Sequence, residues 1–345
     1  MYITKLNLQN FKSYINQDFE FKNITLLTGL NGAGKSSVFQ SLRMFWNQLA
    51  NGHSVLNQYG ELKTLKNTNV KDDYFYLTLE IEKIKAFKIV HNSKDNISSY
   101  EGPIEEVKNI NFAYISANRL GPTEFQHIRN ENVIINSNVG NNGEFTLDIL
   151  SKYGDALLPD SFKDDISKQN TLKHHVERWL QEISPNITLK TELNKKMNVA
   201  SFSINGYTPL NVGFGVSYTL SIIVQLLYSV ILFKEYGMKT VLLVENPEAH
   251  LHPKGQTKIA EFIANLTNHG VQVIMETHSD YILDGLRLAV KDSKINHKDT
   301  KLYYLELNAD MNTEVKSPQI DKEGFLDEWP ENFFDTSINN KMNLA

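Results

Sequence analysis

The chain contains no cysteine among its 345 residues, so it can form neither a disulfide nor a thiolate metal site. Its formal net charge is −5, which excludes the global basic field that marks many nucleic-acid-binding proteins. Charge therefore does not indicate nucleic acid as a partner, and any such contact would be local. The first residues lack the basic-then-apolar order of a signal peptide. These absences favour a cytoplasmic protein.

Charge is also missing from residues 216–233, a segment about as long as a membrane span. The segment is not purely apolar, because five hydroxyl or amide side chains interrupt it: Ser217, Thr219, Ser221, Gln225 and Ser229. We therefore predict a buried helix in the core of a soluble protein, with no membrane as partner.

One short motif stands out among the residues that are present. Residues 29–36 (GLNGAGKS) match the phosphate-binding pattern G-x-x-x-x-G-K-[ST] at every fixed position. An apolar segment runs into the glycines, and apolar residues at helical spacing follow the motif. Backbone N–H groups of such a loop surround phosphate oxygens, and the N-terminus of the next helix adds a favourable partial charge. The sequence therefore predicts a site for nucleotide phosphates.

Within this loop, Lys35 is expected to reach the β- and γ-phosphates, and the Ser36 hydroxyl is expected to hold Mg²⁺. The predicted phosphate-binding residues are Gly29, Asn31, Gly32, Ala33, Gly34, Lys35, Ser36 and Ser37.

Hydrophobic patterning predicts an α/β protein. Residues 2–9 alternate apolar and polar, which predicts an edge strand. Further strands are predicted at 24–28, 74–81, 86–91, 111–116, 240–245, 271–276 and 302–307, and helices at 172–183, 216–233, 254–268 and 280–291. Their alternation after residue 212 implies a largely parallel sheet covered by helices, with ligands at the carboxyl ends of the strands.

The chain is predicted to have three parts. Residues 1–122 would form the N-terminal half of the core, and residues 201–345 would form the C-terminal half. Residues 123–200, which carry much of the helical and charged character, would form a helical insertion lobe between them.

A second group of polar residues follows the strand predicted at 240–245. This strand ends in Glu245, and Asn246 and Glu248 come directly after it. Carboxylates at such a position hold the water shell of Mg²⁺ and activate an attacking water, so Glu245 is a candidate for the metal site. His250 and His252 lie close to Glu248 in sequence, but their spacing matches no usual zinc site, so loop packing is the favoured interpretation.

Two further segments are candidates for contact with phosphate. His278 follows the strand at 271–276, where a histidine can sense a γ-phosphate; the alternative is a helix-start residue held by Ser279 or Asp280. The helix predicted at 216–233 begins with small residues that suit an anion, although a plain helix entry explains them too. These residues are Gly213, Gly215 and Ser217.

In their order along the chain these motifs resemble those of ABC-type ATPases. The order is a phosphate loop, a Gly/Ser helix entry, an acidic strand end followed by PEAHLHP (247–253), and THS (277–279). The opening ITKLNLQNFKSY (3–14) resembles the RecF/SMC/OLD branch. The combination resembles the stand-alone OLD-like ATPases of bacterial anti-phage defence.

The resemblance implies an ABC-type P-loop ATPase head with a mixed sheet and N-terminal antiparallel strands. It also implies a head-to-head dimer with two ATP molecules between the subunits, in which the phosphate loop of one subunit faces residues 213–217 of the other. His278 would take the switch role, and Glu245 would hold the water shell of the metal. The implied function is ATP hydrolysis, with Mg²⁺, that controls a separate effector such as a nuclease or toxin.

Three positions depart from the family pattern. The usual Asp-Glu pair is Glu245-Asn246 here, and an amide cannot accept a proton. Either Glu248 or Glu245 is then the general base, or hydrolysis is slow. The helix entry is not Leu-Ser-Gly-Gly, and no glutamine occupies the lid-loop position, where Asn118 or Arg119 would substitute.

Other functions stay open on the sequence. A transporter ATPase subunit is disfavoured by the N-terminal strand pattern, whereas Asn246 is compatible with an ATP-binding switch of little turnover. A DNA-end-binding repair-type ATPase would use the small basic cluster of Lys190, Lys195 and Lys196. We expect no nuclease domain after residue 310, because the acids there are interleaved with aromatics. Apolar residues within 325–334 would pack on the ATPase core or dock a partner.

Overall fold

The computed structural model describes residues 2–56, 60–82, 84–103, 107, 109–129, 138–163, 169–331 and 333–334. The strands are β1 (Ile3–Phe11), β2 (Tyr14–Glu20), β3 (Ile24–Gly29), β4 (Tyr74–Ile81), β5 (Ile84–Asn92), β6 (Ile97–Glu101), β7 (Ile110–Ile115), β8 (Gln126–His127), β9 (Leu189–Asn194), β10 (Val199–Ile204), β11 (Lys239–Glu245), β12 (Val271–Glu276), β13 (Thr300–Leu307) and β14 (Thr313–Lys316). The helices are α1 (Lys35–Asn51), α2 (Thr146–Tyr153), α3 (Leu172–Ile183), α4 (Phe214–Tyr236), α5 (Pro253–Leu266) and α6 (Asp280–Lys291).

These elements belong to two compact units. The first comprises Met1–Ile110, His297–Asp321 and Phe325–Ala345, and the second comprises Asn111–Asn296 and Lys322–Gly324. The division into 1–122, 123–200 and 201–345 stays a prediction.

The first unit contains an antiparallel sheet of strand order β2-β1-β4-β5-β6, which confirms the predicted N-terminal antiparallel strands. The prediction that β1 is an edge strand is wrong, because β2 and β4 pair with its two sides. Its alternating sequence reflects its two faces instead: Leu6 and Leu8 are buried, whereas Thr4 and Gln9 are exposed.

The first unit also holds the strand that leads to the phosphate loop. β3 pairs in parallel with β13, and β13 pairs in antiparallel fashion with β14. This sheet therefore contains both parallel and antiparallel strand pairs, as expected. Four of the six residues of β3, Ile24, Thr25, Leu26 and Leu27, have no exposed surface, which explains the continuous apolar run in the sequence.

The second unit is built on parallel strands and a long apolar helix. β11 pairs in parallel with β12 over its whole length, and β7 neighbours β11. The predicted helix at 216–233 is confirmed as α4, which by length and composition could span a membrane; 83% of its most apolar window is buried inside the fold. Its buried amide is satisfied, because Gln225 accepts a hydrogen bond from the Val139 N–H at 2.9 Å.

A small antiparallel sheet of order β8-β10-β9 lies in the second unit, next in sequence to α2 and α3. The helical character predicted for residues 123–200 does not include these short strands. By contrast, the predicted elements at 74–81, 172–183, 271–276 and 280–291 match β4, α3, β12 and α6 residue for residue.

Candidate nucleotide-binding and catalytic site

The phosphate loop joins β3 to α1 in the first unit. Gly29 ends β3 opposite Leu305 of β13, and Lys35 begins α1. Residues 30–32 at the tip of the loop are exposed, as is Ser36 in the first helical turn, whereas Ser37 is buried. The motif therefore forms the strand–loop–helix unit that the pattern requires.

Lys35 turns back onto its own loop. Its Nζ donates to the carbonyl oxygens of Gly29 at 2.9 Å and Leu30 at 3.0 Å, and only 4% of the residue is exposed. The N-cap of α1 is Gly34, so the cap offers no side chain to the N–H groups of the first turn. A lysine held beside a helix N-terminus that lacks a side-chain cap is an arrangement that suits a phosphate anion.

In the second unit, Glu245 is oriented by two hydrogen bonds from the strand end beside it. Its Oε1 accepts from the Tyr114 hydroxyl at 3.0 Å, and its Oε2 accepts from the Ala117 N–H at 2.9 Å. A carboxylate has about four lone-pair sites, so each oxygen can accept one more donor. Glu245 is thus positioned at the carboxyl end of β11 with capacity left for a water of a metal's shell.

Asn246 adopts the left-handed backbone conformation, with φ of 44°. Its N–H donates to the Glu276 carbonyl at 2.8 Å, and its side-chain amide lies 3.4 Å from Glu248 Oε1. Asparagine tolerates this conformation, whereas a glutamate would cost about 1 kcal/mol more. Asn246 is therefore a residue type that suits the backbone conformation of this turn.

Glu248 connects this turn to the segment after β12. Its Oε1 accepts from the His278 N–H at 3.0 Å, while its Oε2 is buried and has no hydrogen-bond partner among the described residues. His278 itself is exposed. Ser279 caps α6 by accepting from the N–H groups of Tyr281 and Ile282, so the helix start does not depend on His278.

Arg119 is buried in the second unit, with 3% of the residue exposed. It forms a polar cluster with Glu245, Asn246 and Glu248. The guanidinium donates to the carbonyl oxygens of Ser116 at 3.1 Å, Glu245 at 2.7 Å and Asn246 at 2.6 Å. Burial lowers the pKa of Arg119 to about 10, and the nearby charges of Glu248 and Glu245 oppose that shift. Arg119 is predicted from the sequence only as a substitute for a lid glutamine, whereas the structure shows it bound to the end of β11; its neighbour Asn118, the other candidate, is exposed.

The first turns of α4 pack on this cluster. The Arg119 guanidinium carbon lies over the Tyr218 ring, 5.0 Å from the ring centroid. The ring centroids of Tyr218 and His250 are 4.8 Å apart. Gly215 contacts the loop backbone so closely that an added Cβ would lie 2.7 Å from the His250 carbonyl oxygen. Gly213 is the N-cap of α4 and provides no side-chain cap, while Ser217 is half-buried in the first turns.

The two histidines of the loop after β11 have separate local contacts. His250 packs against Tyr218, and His252 caps α5 by accepting from the Lys254 N–H at 3.4 Å. Within the described parts of the chain, no three His, Asp or Glu side chains group as a metal site would require.

The large apolar side chains of segment 325–334 differ in how far they are buried. Phe333 is fully buried, and its ring centroid lies 5.6 Å from that of Tyr304. Phe325 and Trp329 are 63% and 43% exposed. Phe333 therefore packs on its own unit, as one of the two alternatives expected, whereas docking of a partner by this segment stays a prediction.

Several residues that shape the site were missed in the sequence. Tyr114, which orients Glu245, reads there only as part of an apolar strand. The hydroxyls of Tyr14 and Thr313 bind the phosphate loop, but Thr313 lies outside every motif, and the opening pattern of residues 3–14 does not indicate what the Tyr14 hydroxyl binds. These residues can be identified only from the folded structure, in which β2 and β14 lie beside the phosphate loop.

Comparison with known proteins gives a family for most of the chain. A family model described as "AAA domain, putative AbiEii toxin, Type IV TA system" matches residues 57–284. A second, "Protein of unknown function (DUF3696)", matches residues 295–344. Among curated proteins, the DNA replication and repair protein RecF of Francisella tularensis strains is 34% identical over 77 residues, which cover 22% of this chain and 20% of RecF. The alignment thus spans about a fifth of that relative.

Solved structures show the same fold. An SMC head bound to the C-winged helix domain of ScpA gives a TM-score of 0.57 at 16% identity and covers 93% of this chain and 99% of that one. The Pyrococcus furiosus SMC head with an extended coiled coil, bound to the C-terminal domain of ScpA, gives 0.56 at 14%, covering 99% of each chain. The Thermotoga maritima SMC head domain gives 0.51 at 13%, covering 92% and 98%.

The expected ABC-type head fold of the RecF/SMC branch is therefore confirmed. Since the first family model matches well over half of the 345 residues, the chain belongs to the family of AAA domains described as putative AbiEii toxin, Type IV TA system.

Proposed function

We propose that this protein is a cytoplasmic ATPase that binds ATP with Mg²⁺, dimerises on ATP and regulates a separate effector in a bacterial defence-type complex. The observation that carries the proposal is the phosphate loop. Lys35, the first residue of α1, is held inside it by the Gly29 and Leu30 carbonyls, at a helix N-terminus without a side-chain cap. This combination supplies both a cation and backbone donors for polyphosphate.

The residues present fit a nucleotide and its metal. The backbone of residues 29–37 would hold the phosphates of ATP, with the Lys35 ammonium beside them. The Ser36 hydroxyl and the Glu245 carboxylate are oxygen donors of the kind that Mg²⁺ and its bound waters prefer. When bound, Mg²⁺ would neutralise charge on the phosphate oxygens.

Hydrolysis also needs a group that accepts a proton from water. Glu248 is the candidate that we favour, because its Oε2 is an acceptor without a partner among the described residues. Its Oε1 remains bonded to the His278 N–H, which fixes the carboxylate beside the histidine proposed to sense the γ-phosphate. Asn246 cannot take this role, and slow turnover is consistent with its presence.

Dimerisation on ATP is proposed from the start of α4. Gly213 leaves the first turn without a side-chain cap, and residues 213–217 reach the surface in part. A phosphate from a second subunit would complement these donors and the positive end of the helix dipole. Such a bridging ligand favours the dimer by mass action.

A defence-type role is supported by the family description, which names the domain as a putative toxin of a toxin–antitoxin system. Control of a separate effector is our proposal. A persistent ATP-bound state would serve as the signal to that partner. The exposed Phe325 and Trp329 provide apolar surface of the kind that interfaces bury.

A DNA-end-binding repair function is the second candidate. The 34% identity to RecF over 77 residues favours it. Lys190 lies in β9, Lys195 and Lys196 follow in the turn to β10, and all three are exposed. Binding that uses them would weaken steeply with salt, because phosphate contacts release counterions.

ATP turnover by the purified chain, measured with and without duplex DNA, tests these alternatives. The proposed function expects turnover that Lys35→Ala removes and that DNA leaves unchanged; stimulation lost on Lys190→Ala and Lys195→Ala would favour the repair function. The chain alone should cleave neither DNA nor RNA with Mg²⁺ or Mn²⁺. Metal-dependent cleavage that is lost when Asp321, Asp327 or Glu331 is substituted would overturn the separate effector.

A further inference from the structure

The C-terminal segment of unknown function contacts the phosphate loop directly. The matching region, 295–344, includes β13, β14 and the turn between them. Thr313 is the first residue of β14, and its Oγ1 donates to the Ala33 carbonyl at 3.0 Å. This contact joins two residues 280 positions apart in the sequence.

A second hydroxyl binds the next carbonyl of the loop. Tyr14, at the start of β2, donates from its phenol oxygen to the Gly34 carbonyl at 3.0 Å. In a trans peptide the C=O and N–H bonds point in opposite directions. Fixing the carbonyls of Ala33 and Gly34 therefore also fixes the direction of the N–H groups of Gly34 and Lys35, away from the two hydroxyls.

A third hydroxyl makes the Thr313 contact directional. Ser13 Oγ lies 2.6 Å from Thr313 Oγ1. Because the Thr313 proton goes to Ala33, Ser13 is the donor of this pair. A chain of two hydrogen bonds, from Ser13 to Thr313 to Ala33, polarises each member and strengthens both.

Gly34 is required by this arrangement. Its φ is 101°, and an added Cβ would lie 2.7 Å from both Thr313 Oγ1 and the Tyr14 hydroxyl. The glycine thus lets both hydroxyls approach the loop backbone. Close approach of the two hydroxyls, and not only the positive φ, therefore explains why this position is a glycine.

Both hydroxyls are held by rigid surroundings. Tyr14 has no exposed surface, and its ring packs edge-on against Phe19 at 5.6 Å between centroids. The Thr313 N–H donates to the Ser13 carbonyl at 2.8 Å, and the preceding Asn312 is 3.2 Å from the Asn67 amide. The hydroxyls of Tyr14 and Thr313, which we call the brace of the phosphate loop, are therefore held within the packed first unit.

We propose that Tyr14 and Thr313 are positioning residues that set the phosphate-loop backbone for polyphosphate, and that the β13–β14 hairpin has this function. The inference rests on the proposed ATP binding for its ligand, but the loop conformation itself can be tested without any nucleotide.

Isosteric variants with matched controls test the proposal. Thr313→Val and Tyr14→Phe each remove one hydroxyl, and Thr267→Val and Thr146→Val remove buried hydroxyls that bond the Ala264 and Gly143 carbonyls elsewhere. Amide hydrogen exchange of the nucleotide-free chain should rise for peptides within residues 29–37 in the first two variants only. ATP affinity should fall about fivefold in each, since one net hydrogen bond is lost. Thr313→Ser, which keeps the hydroxyl, should restore both values.

The outcomes separate this inference from the proposed function. Unchanged exchange at residues 29–37 in both variants would overturn the brace, as would an equal rise in the two controls. If the wild-type chain binds no ATP while exchange still rises in the loop, the brace stands and the proposed function fails. If exchange rises but ATP affinity is unchanged, the hydroxyls do not position the loop for nucleotide, and the inference is wrong.

Discussion

The guanidinium of Arg119 donates a hydrogen bond of 2.6 Å to the carbonyl oxygen of Asn246. A second bond, 2.7 Å long, joins it to the Glu245 carbonyl, so one side chain binds two consecutive carbonyls at the end of β11. The same guanidinium lies over the ring of Tyr218 in α4. The acidic turn and the first turns of α4 are therefore attached to one buried cation. With a pKa of about 10, this cation is protonated at neutral pH.

Replacing the guanidinium should affect turnover more than nucleotide binding. Arg119→Lys keeps the charge but loses the planar fork that reaches both carbonyls. We expect turnover to fall about tenfold or more, in line with the loss of a charged hydrogen bond of about 2 kcal/mol, while ATP affinity changes less than about twofold. Steady-state turnover and equilibrium binding of a fluorescent ATP analogue measure the two quantities.

Arg287 offers a matched control, because it also donates to a backbone carbonyl, that of Gly324, at 2.8 Å. Arg287→Lys should leave turnover unchanged. Equal losses in both variants would mean that Arg119 contributes only to general stability.

How much of the site the sequence predicts depends on how local the interactions are. The phosphate loop and the ends of β11 and β12 are predictable, because each motif lies within a few consecutive residues. The contacts of Thr313 and Tyr14 are not, because Thr313 lies in no motif, the pattern of residues 3–14 does not indicate what the Tyr14 hydroxyl binds, and both hydroxyls bond to backbone carbonyls of the loop. Nor does any pattern in the sequence reveal that Asn246 adopts a left-handed conformation.

Two features of strand pairing were also not predicted from the sequence. Alternation in residues 2–9 predicts a strand but not its neighbours, so the pairing of β1 with β4 was missed. Of the short strands, β8 depends on a partner far along the chain, β10, whereas β9 and β10 pair locally as a hairpin whose polar, mostly exposed β9 sequence resembles a loop.

Removing the lysine of the loop should abolish ATP binding. Lys35→Ala deletes the loop's positive charge and both bonds from Nζ to the Gly29 and Leu30 carbonyls. Loss of these charged interactions should weaken binding about 100-fold or more. Titration calorimetry on the folded variant measures this. Lys66→Ala is the control, since Lys66 also donates to two backbone carbonyls, those of Asn67 and Val70; unchanged affinity in Lys35→Ala would contradict the assignment.

Glu248→Gln should bind ATP normally and lose turnover. A glutamine keeps the carbonyl oxygen that accepts from the His278 N–H, so the loop should hold its shape. It cannot accept a proton, and loss of a general base costs about 100-fold or more in rate. Single-turnover measurements with Glu245→Gln in parallel decide between the two acids. Turnover that persists in Glu248→Gln but disappears in Glu245→Gln would identify Glu245 as the base.

The start of α4 should control association and leave ATP binding within one subunit intact. Ser217 is half-buried in the first turns of this helix, after an N-cap glycine that provides no side chain. Ser217→Arg places a long, charged side chain where a second subunit's phosphate and loop would lie. We expect ATP-dependent dimers on sizing columns to disappear while calorimetric ATP affinity stays within about twofold of wild type. Ser151→Arg, on the exposed side of α2, controls for the added charge and should dimerise normally. Dimers that form unchanged in Ser217→Arg would place the interface elsewhere, because a bulky cation at the centre of a nucleotide-bridged contact would displace the partner's loop.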